Sequence, residues 1–342
     1  MHNLRLTVDT AALVANWRWL AARGGAAACG AAVKADGYGL GAREVVAALA
    51  RAGAHDFFVA SWSEAVALGE MPAGARLAVL HGVQDGEMAA ALGSPAVPVL
   101  NTVAQVARWR DTGRPCDVMV DTGMNRLGLS AADVAAGALD GLRVDTVHSH
   151  LACADTPEHP ANARQLAAFR AVVAALPSVR ASLANSAGVC LGPDYAFGLT
   201  RPGLGLFGGV PGPAAAGHVA PVARLQARVV QVRSVAAGDS VGYGATWTAA
   251  CDSRIAVLNL GYADGYRRAL AAAGTVVAGG VACPLAGRVS MDLIAADVTA
   301  ADVGEGDWVD IAFDLLVLAA AAQCSQYELL TGLGHRYARV YK

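Results

Sequence analysis

Residues 31–39 read AAVKADGYG, and the fold of the whole chain turns on this stretch. It opens as the apolar end of a buried strand, Ala31-Ala32-Val33, and runs directly into Lys34. Gly37 and Gly39 flank Tyr38 in a turn with backbone freedom. A lysine at the end of a buried parallel strand is unusual. Burying an unpaired ammonium is costly and drives its pKa down, and the neutral amine attacks an aldehyde carbon. Taken alone, Lys34 has a plainer reading as a surface lysine that reaches past the strand end into water.

Outward from Lys34, short apolar runs alternate with alanine-rich helical segments. The spacing predicts strands near 28–33, 56–60, 76–80, 96–100, 116–120, 143–149, 179–184 and 197–201, most separated by helix. Helices are expected over 11–22 and 42–52, and from Ser61 to Leu68. Eight strand–helix units with fully apolar strands imply a parallel sheet closed as a (β/α)8 TIM-type barrel, with an open doubly wound sheet as the alternative. GVPGPAAAGHVAP, residues 209–221, reads as a linker. Beyond it strands are expected over 224–236, 254–260, 275–285, 288–298 and 307–313, then a helix near 315–323 and a last strand over 337–341. The chain thus divides into an α/β barrel over 1–215 and a mainly β domain over 216–342.

Bulk composition narrows the function classes. A hydrophobic content of 55% with 16% charged residues argues against disorder. A net charge of -2 gives no electrostatic footprint for nucleic acid or an anionic membrane. No run approaches the roughly 20 apolar residues of a membrane span. The start, MHNLRLTVDT, lacks the apolar core of a signal peptide, and seven cysteines form no CxxC pair. The expectation is a cytoplasmic protein without a disulfide framework.

In an eight-stranded barrel, chemistry sits at the C-terminal strand ends, and phosphate binds after strands seven and eight. Lys34 and Tyr38 follow strand one, Asp121 and Arg126 strand five, His148 and His150 strand six, Asn185 and Ser186 strand seven, and Arg201, Gly203 and Leu204 strand eight. Ser186 at a helix start and Gly203 in a turn make a phosphate site, although a lone serine there is an ordinary cap and a lone glycine an ordinary turn. A phosphate site and a strand-end lysine together suggest pyridoxal phosphate held as a Schiff base, with His150 against its ring and Arg201 facing its nitrogen. The plainer alternatives are a core histidine and a structural ion pair. The pair His148/His150 also matches the HxH of zinc barrel hydrolases, but only His81 and Asp121 stand by as further ligands, so no metal is expected. In the second domain Tyr262 follows an apolar strand, where a structural tyrosine is the usual reading.

The pieces AAVKADGYG, VDTGMNRLG, HSHLACAD, LANSAG, RPGLGLFG, VGYGATW, GYADGY and GRVSMDL occur in an order that closely resembles the alanine racemase family. They cover nearly the whole chain. The resemblance implies a pyridoxal-phosphate enzyme that interconverts L- and D-alanine, with Lys34 as Schiff-base lysine and Tyr262 as second catalytic base. It implies a head-to-tail homodimer in which the partner supplies Tyr262. Tyr38, Ser186, Gly203 and Leu204 match cofactor-phosphate contacts, His150 the ring-packing histidine, and Arg201 the arginine at the pyridine nitrogen, with Asn185 also expected among the cofactor-binding residues. Arg126 matches the residue at the cofactor's phenolic oxygen and near the substrate, and Met291 the partner residue at the substrate carboxylate. Asp155, Tyr243 and Arg288 match residues lining the corridor into the site. A broad-specificity racemase accepting serine and a non-catalytic pyridoxal-phosphate-binding barrel are the alternatives. The β domain with Tyr262 and Met291 separates the racemase from single-barrel binding proteins.

Two positions depart from the family pattern. Met119 stands where many members carry a lysine, often carbamylated, so something else supports Arg126. His335 stands where the family often has a tyrosine that reaches the phosphate.

Overall fold

The computed structural model describes residues 2–342, in two compact units. One comprises residues 13–37 and 42–220. Seven parallel strands lie side by side in it: Ala31–Ala32, Asp56–Val59, Arg76–Val79, Val97–Leu100, Pro115–Met119, Arg143–His148 and Arg180–Ser182. The first is preceded by Ala28–Cys29, which pairs in parallel with Leu199–Thr200. Leu199–Thr200 is tied in turn to the seventh strand, since Gly198 N–H donates to Ala181 O (3.1 Å) and Arg201 N–H to Ala184 O (2.8 Å). Eight strand positions therefore close on themselves as the sequence implies. The first is broken at Gly30, where an added Cβ would stand 2.7 Å from Asp56 O. Only glycine allows so close an approach.

The strands read as continuous apolar runs because both faces are buried: every residue of Asp56–Val59 lies in the interior. The exceptions are charges at and near the strand starts. Arg76 clasps Asp117 with both ends of its guanidinium (3.0 and 2.6 Å), and Arg180 clasps Asp56 likewise (3.0 and 2.6 Å). A fully buried carboxylate such as Asp117 survives only with such partners.

The other unit runs to residue 12 and contains residues 38–41 and 221–342. Leu4–Val8 lies between the long strand Ala223–Val235, antiparallel, and the terminal strand Ala338–Tyr341, parallel. The first strand of the chain therefore pairs within the β unit. Its alternation of buried and half-buried residues is the mark of a strand covering a one-sided sheet. The strand expected over 275–285 is a hairpin, Thr275–Ala278 and Val281–Pro284. It turns at Gly279 (φ 56°) and Gly280 (φ 85°), a tight turn needing two positive φ angles. Of the strand expected over 288–298, only Ile294–Asp297 is extended in the sheet. The rest is a loop closed by Ser290, whose hydroxyl donates to Leu293 O (2.7 Å).

Candidate functional site

The turn after Lys34 is left-handed. Ala35 (φ 53°), Asp36 (φ 52°), Gly37 (φ 62°) and Tyr38 (φ 56°) all lie there, a conformation costing an ordinary residue about 1–2 kcal/mol. Hydrogen bonds offset the cost. Gly37 N–H donates to Val33 O (2.8 Å), Ala42 N–H to Asp36 Oδ1 (2.9 Å), and Ala35 N–H to Glu64 Oε1 (2.8 Å). Lys34 follows Val33 at the C-terminal end of the first strand position, accessible to solvent yet with protein atoms around it. That partial desolvation is the main force lowering its pKa. Arg126 lowers it further, Glu64 opposes, and Arg201 adds a smaller lowering. The surroundings therefore shift Lys34 toward the neutral amine that nucleophilic chemistry requires.

His150 shares these neighbours. Burial pushes its pKa down to about 3, helped by Arg201, Arg126 and Lys34, so the imidazole is neutral at ordinary pH. Its backbone is held by Gln165, which donates to His150 O (2.9 Å) and accepts from Ala152 N–H (2.8 Å). Arg201 is buried, and burial pushes its pKa down to about 10, with Asp117 opposing. It is still a cation near neutral pH, held only by neutral oxygens: it donates to Ser182 Oγ and to Ser149 O (2.7 Å). Among the described residues no carboxylate lies within ion-pair distance of it. A buried guanidinium so placed is suited to face a neutral acceptor.

The residues expected to hold phosphate make the following contacts. Asn185, not Ser186, caps the helix Ser186–Cys190, accepting from Gly188 N–H (2.8 Å). Ser186 Oγ accepts instead from Gly203 N–H (2.9 Å) and Gly205 N–H (3.1 Å). Two accepted bonds fill the oxygen's acceptor positions, which leaves its O–H to donate. Gly203 thus acts through Ser186, and Leu204 begins the buried turn Leu204–Phe207. A hydroxyl donor beside the first N–H groups of a helix suits a phosphate.

Arg126 sits on a loop wound around Asp121, whose carboxylate accepts from Gly123 N–H (2.7 Å), Met124 N–H (2.9 Å) and Arg126 N–H (3.2 Å). Met119 is buried on the strand below, and among the described residues Arg126 makes no ion pair with a carboxylate. His148 does not pair with His150. It is fully buried with Nε2 on Asp117 Oδ2 (2.9 Å), and burial pushes its pKa down to about 4. Neutral His148 therefore donates through Nε2–H to a carboxylate that stays ionised. Burial raises the Asp117 pKa, but His148 and Arg76 outweigh it. Among the described residues no group of three or more His, Cys, Asp or Glu is placed to hold a metal.

In the β unit, Tyr262 and Met291 stand side by side. Tyr262 N–H donates to Ser290 O (3.0 Å) and Ala263 N–H to Met291 O (3.0 Å). Gly261 permits this contact, since a Cβ there would fall 2.1 Å from Met291 O. Arg336 locks the two loops together, with Nε and Nη2 on Asp264 (2.6 and 2.8 Å) and Nη1 on Asp292 (2.7 Å). Tyr262 is 42% exposed and Met291 54%. Tyr243 and Arg288 line one cleft of about 540 Å³ with Ser290 and Leu293. Tyr38 is buried with its ring 6.0 Å from that of Tyr327, and burial holds its pKa well above the usual phenol value. His335 is exposed in the turn before the terminal strand, and Asp155 is exposed in the barrel unit.

Sequence reasoning missed Glu64, Asp117, Gln165, Ser182 and Arg336. Asp117 had a readable signal, because a charge inside an otherwise apolar strand must have a partner.

The chain thus combines a closed parallel barrel, bearing a strand-end lysine of lowered pKa, with a strand-rich second unit, the architecture of an α/β-barrel enzyme with an added β domain. The profile "Alanine racemase, N-terminal domain" matches residues 8–211, and "Alanine racemase, C-terminal domain" matches residues 222–341. The chain belongs to the alanine racemase family. It is 47% identical to the alanine racemase of Dinoroseobacter shibae and 44% identical to that of Acidiphilium cryptum, each match covering 100% of this chain and 99% of the relative. The crystal structure of alanine racemase from Bartonella henselae with covalently bound pyridoxal phosphate superposes with a TM-score of 0.92 at 35% identity, covering 100% of both chains.

Proposed function

We propose that this chain racemises alanine with pyridoxal phosphate, using Lys34 and the partner subunit's copy of Tyr262 as its two bases. Full-length kinship with alanine racemases sets the activity class, and the observation that carries the mechanism is Lys34, an amine of lowered pKa at the end of a barrel strand.

The cofactor suits the residues present. Lys34 offers the nucleophilic amine, Ser186 an O–H with its acceptor positions filled, His150 a neutral ring, and Arg201 a buried cation without a carboxylate partner. Arg126, Tyr38, Asn185, Gly203, Leu204 and His335 complete the proposed set around it. When bound, pyridoxal phosphate draws electron density from an attached amino acid and so acidifies its Cα–H.

The protein's task is then to move one proton between two faces of Cα. One base must stand on each face. Lys34 Nζ serves one and Tyr262 Oη the other. Arg201, cationic near neutral pH, would donate to the cofactor's ring nitrogen and leave it unprotonated. That would restrain charge delocalisation and suppress side reactions such as transamination. Met291 positions the substrate carboxylate, and Asp155, Tyr243 and Arg288 line the access corridor.

The dimer rests on the exposure of Tyr262, Met291, Leu293 and Tyr243 in one unit, a set of large side chains suited to burial against a second copy. In that dimer residues 1–215 and 216–342 serve as cofactor-binding barrel and partner-completing domain, apart from the first strand. A cytoplasmic setting fits the seven cysteines, all free thiols.

A chiral assay of the purified protein with pyridoxal phosphate tests the reading. Fast formation of D-alanine from L-alanine, with little D-serine from L-serine, is expected. Equal rates on both would contradict the assigned specificity, and no product from either would contradict the activity.

A further inference from the structure

Lys34 and Lys342 are the only lysines in the chain. Lys34 alone lies inside the barrel unit, at the start of a turn whose backbone is left-handed from Ala35 to Tyr38. One side chain ties that turn to its neighbour strand. Glu64, in the first turn of the helix Trp62–Leu68, accepts from Ala35 N–H with Oε1 (2.8 Å) and from Ala60 N–H with Oε2 (2.7 Å). Ala35 is the residue after Lys34, and Ala60 directly follows the strand Asp56–Val59. Glu64 is itself placed by Ser61, whose hydroxyl accepts from its N–H (3.4 Å). The carboxylate therefore clamps two adjacent strand ends at the point where Lys34 leaves the barrel wall. Charge-assisted bonds of this kind are about twice as strong as neutral ones.

We infer that Glu64 is the positioning residue for Lys34, holding the left-handed turn that presents the amine and placing one carboxylate at the foot of that turn. The inference rests on the proposed role of Lys34. Four groups face the Lys34 amine. Arg126 after the fifth strand position, His150 after the sixth and Arg201 after the eighth include two cations and a neutral ring, and Glu64 is the one anion among them. Glu64 touches neither substrate nor cofactor in this account. It acts through the Ala35 peptide and through its charge.

The variant Glu64→Gln has the same shape but no charge, and its NH2 faces one of the two N–H groups. Two measurements read it. Reductive methylation of Lys34 with formaldehyde and cyanoborohydride, on cofactor-stripped protein and scored by mass spectrometry, gives the pH midpoint of the amine without cofactor. Absorbance titration with pyridoxal phosphate gives affinity. Glu64→Gln is expected to move the methylation midpoint to lower pH, because an anion near an ammonium is removed. It is also expected to weaken cofactor affinity by about tenfold or more, the scale of one lost charge-assisted bond. Glu64→Asp keeps the charge on a shorter stem. It should hold the midpoint near wild type while still weakening affinity, and it serves if Glu64→Gln folds poorly. A wild-type midpoint and wild-type affinity in Glu64→Gln would overturn the inference. So would a lower melting temperature alone, which is what a merely structural glutamate would give. If wild-type protein fails to capture pyridoxal phosphate at Lys34 while the midpoint still shifts, the proposed function falls and the role of Glu64 stands.

Discussion

Lys34 and Tyr262 are both open to solvent, but Lys34 has Arg126, His150 and Arg201 of its own barrel around it, whereas Tyr262 stands 42% exposed on a loop of the β unit. The barrel end is prepared electrostatically: one amine of lowered pKa, one imidazole held neutral, one guanidinium buried on neutral oxygens. The Tyr262 loop is prepared mechanically. Arg336 bridges Asp264 and Asp292, and the backbone of Gly261 fits against Met291, so the loop is stiff while its side chains face outward. In the proposed dimer this loop presents the exposed tyrosine and methionine to the second copy. One half of the proposed machinery is finished within the fold and the other half is displayed.

The largest expected effect is at the finished half. Lys34→Ala should abolish racemisation and leave no lysine in the barrel unit for borohydride to fix to pyridoxal phosphate. Full activity in that variant would break the contrast at its root. Next comes the buried carboxylate of the barrel interior, Asp117, which holds Arg76 and His148. Asp117→Asn leaves Arg76 without its buried carboxylate and should cost about 3 kcal/mol in urea unfolding, whereas the exposed-loop change Asp292→Asn should cost below about 1 kcal/mol. Equal losses would mean that the barrel interior is no more electrostatically committed than the loop.

A smaller effect should follow pH. His148 titrates at 6.5 when unfolded and at about 4 in the fold, so between these values the unfolded state binds more protons. Stability is then fully present above pH 6.5 and falls as the pH drops toward 4. A His148→Gln variant should flatten that slope in a thermal-melt series, and an unchanged slope would assign it elsewhere. Smallest of all, Met119→Lys places an amine near the Arg126 loop and tests whether the family's lysine-derived anion has a counterpart here. A change in substrate affinity, measured as KM, is expected, with the fold intact. No change would mean that the Arg126 loop, wound on Asp121, is already sufficiently ordered.

Much of this was legible in the sequence, and the gaps have physical causes. Apolar runs such as Asp56–Val59 and Val97–Leu100 were readable because strands buried on both faces admit little else. The eight-unit closure followed from their number. Leu4–Val8 was missed because its partners, Ala223–Val235 and Ala338–Tyr341, lie at the far end of the chain, and no local pattern encodes such a pairing. The hairpin at Gly279-Gly280 was read as one strand because both halves are apolar and only the two glycines mark the turn. At the site, Lys34, Ser186 and Arg201 were found as polar residues at strand ends. Glu64 and Ser182 were not, since they act by holding backbone or another side chain, and nothing in their own spacing announces a partner.

The most direct test of the central claim, that two copies share each site, is subunit complementation. Lys34→Ala and Tyr262→Phe are each expected to be inactive as homodimers. Dissociated, mixed in equal amounts and reassociated, they should regain about a quarter of wild-type activity, because random pairing makes half the dimers mixed and each mixed dimer holds one intact site. A mixture that stays at the sum of its parents, despite mixed dimers shown by mass spectrometry, would contradict the account.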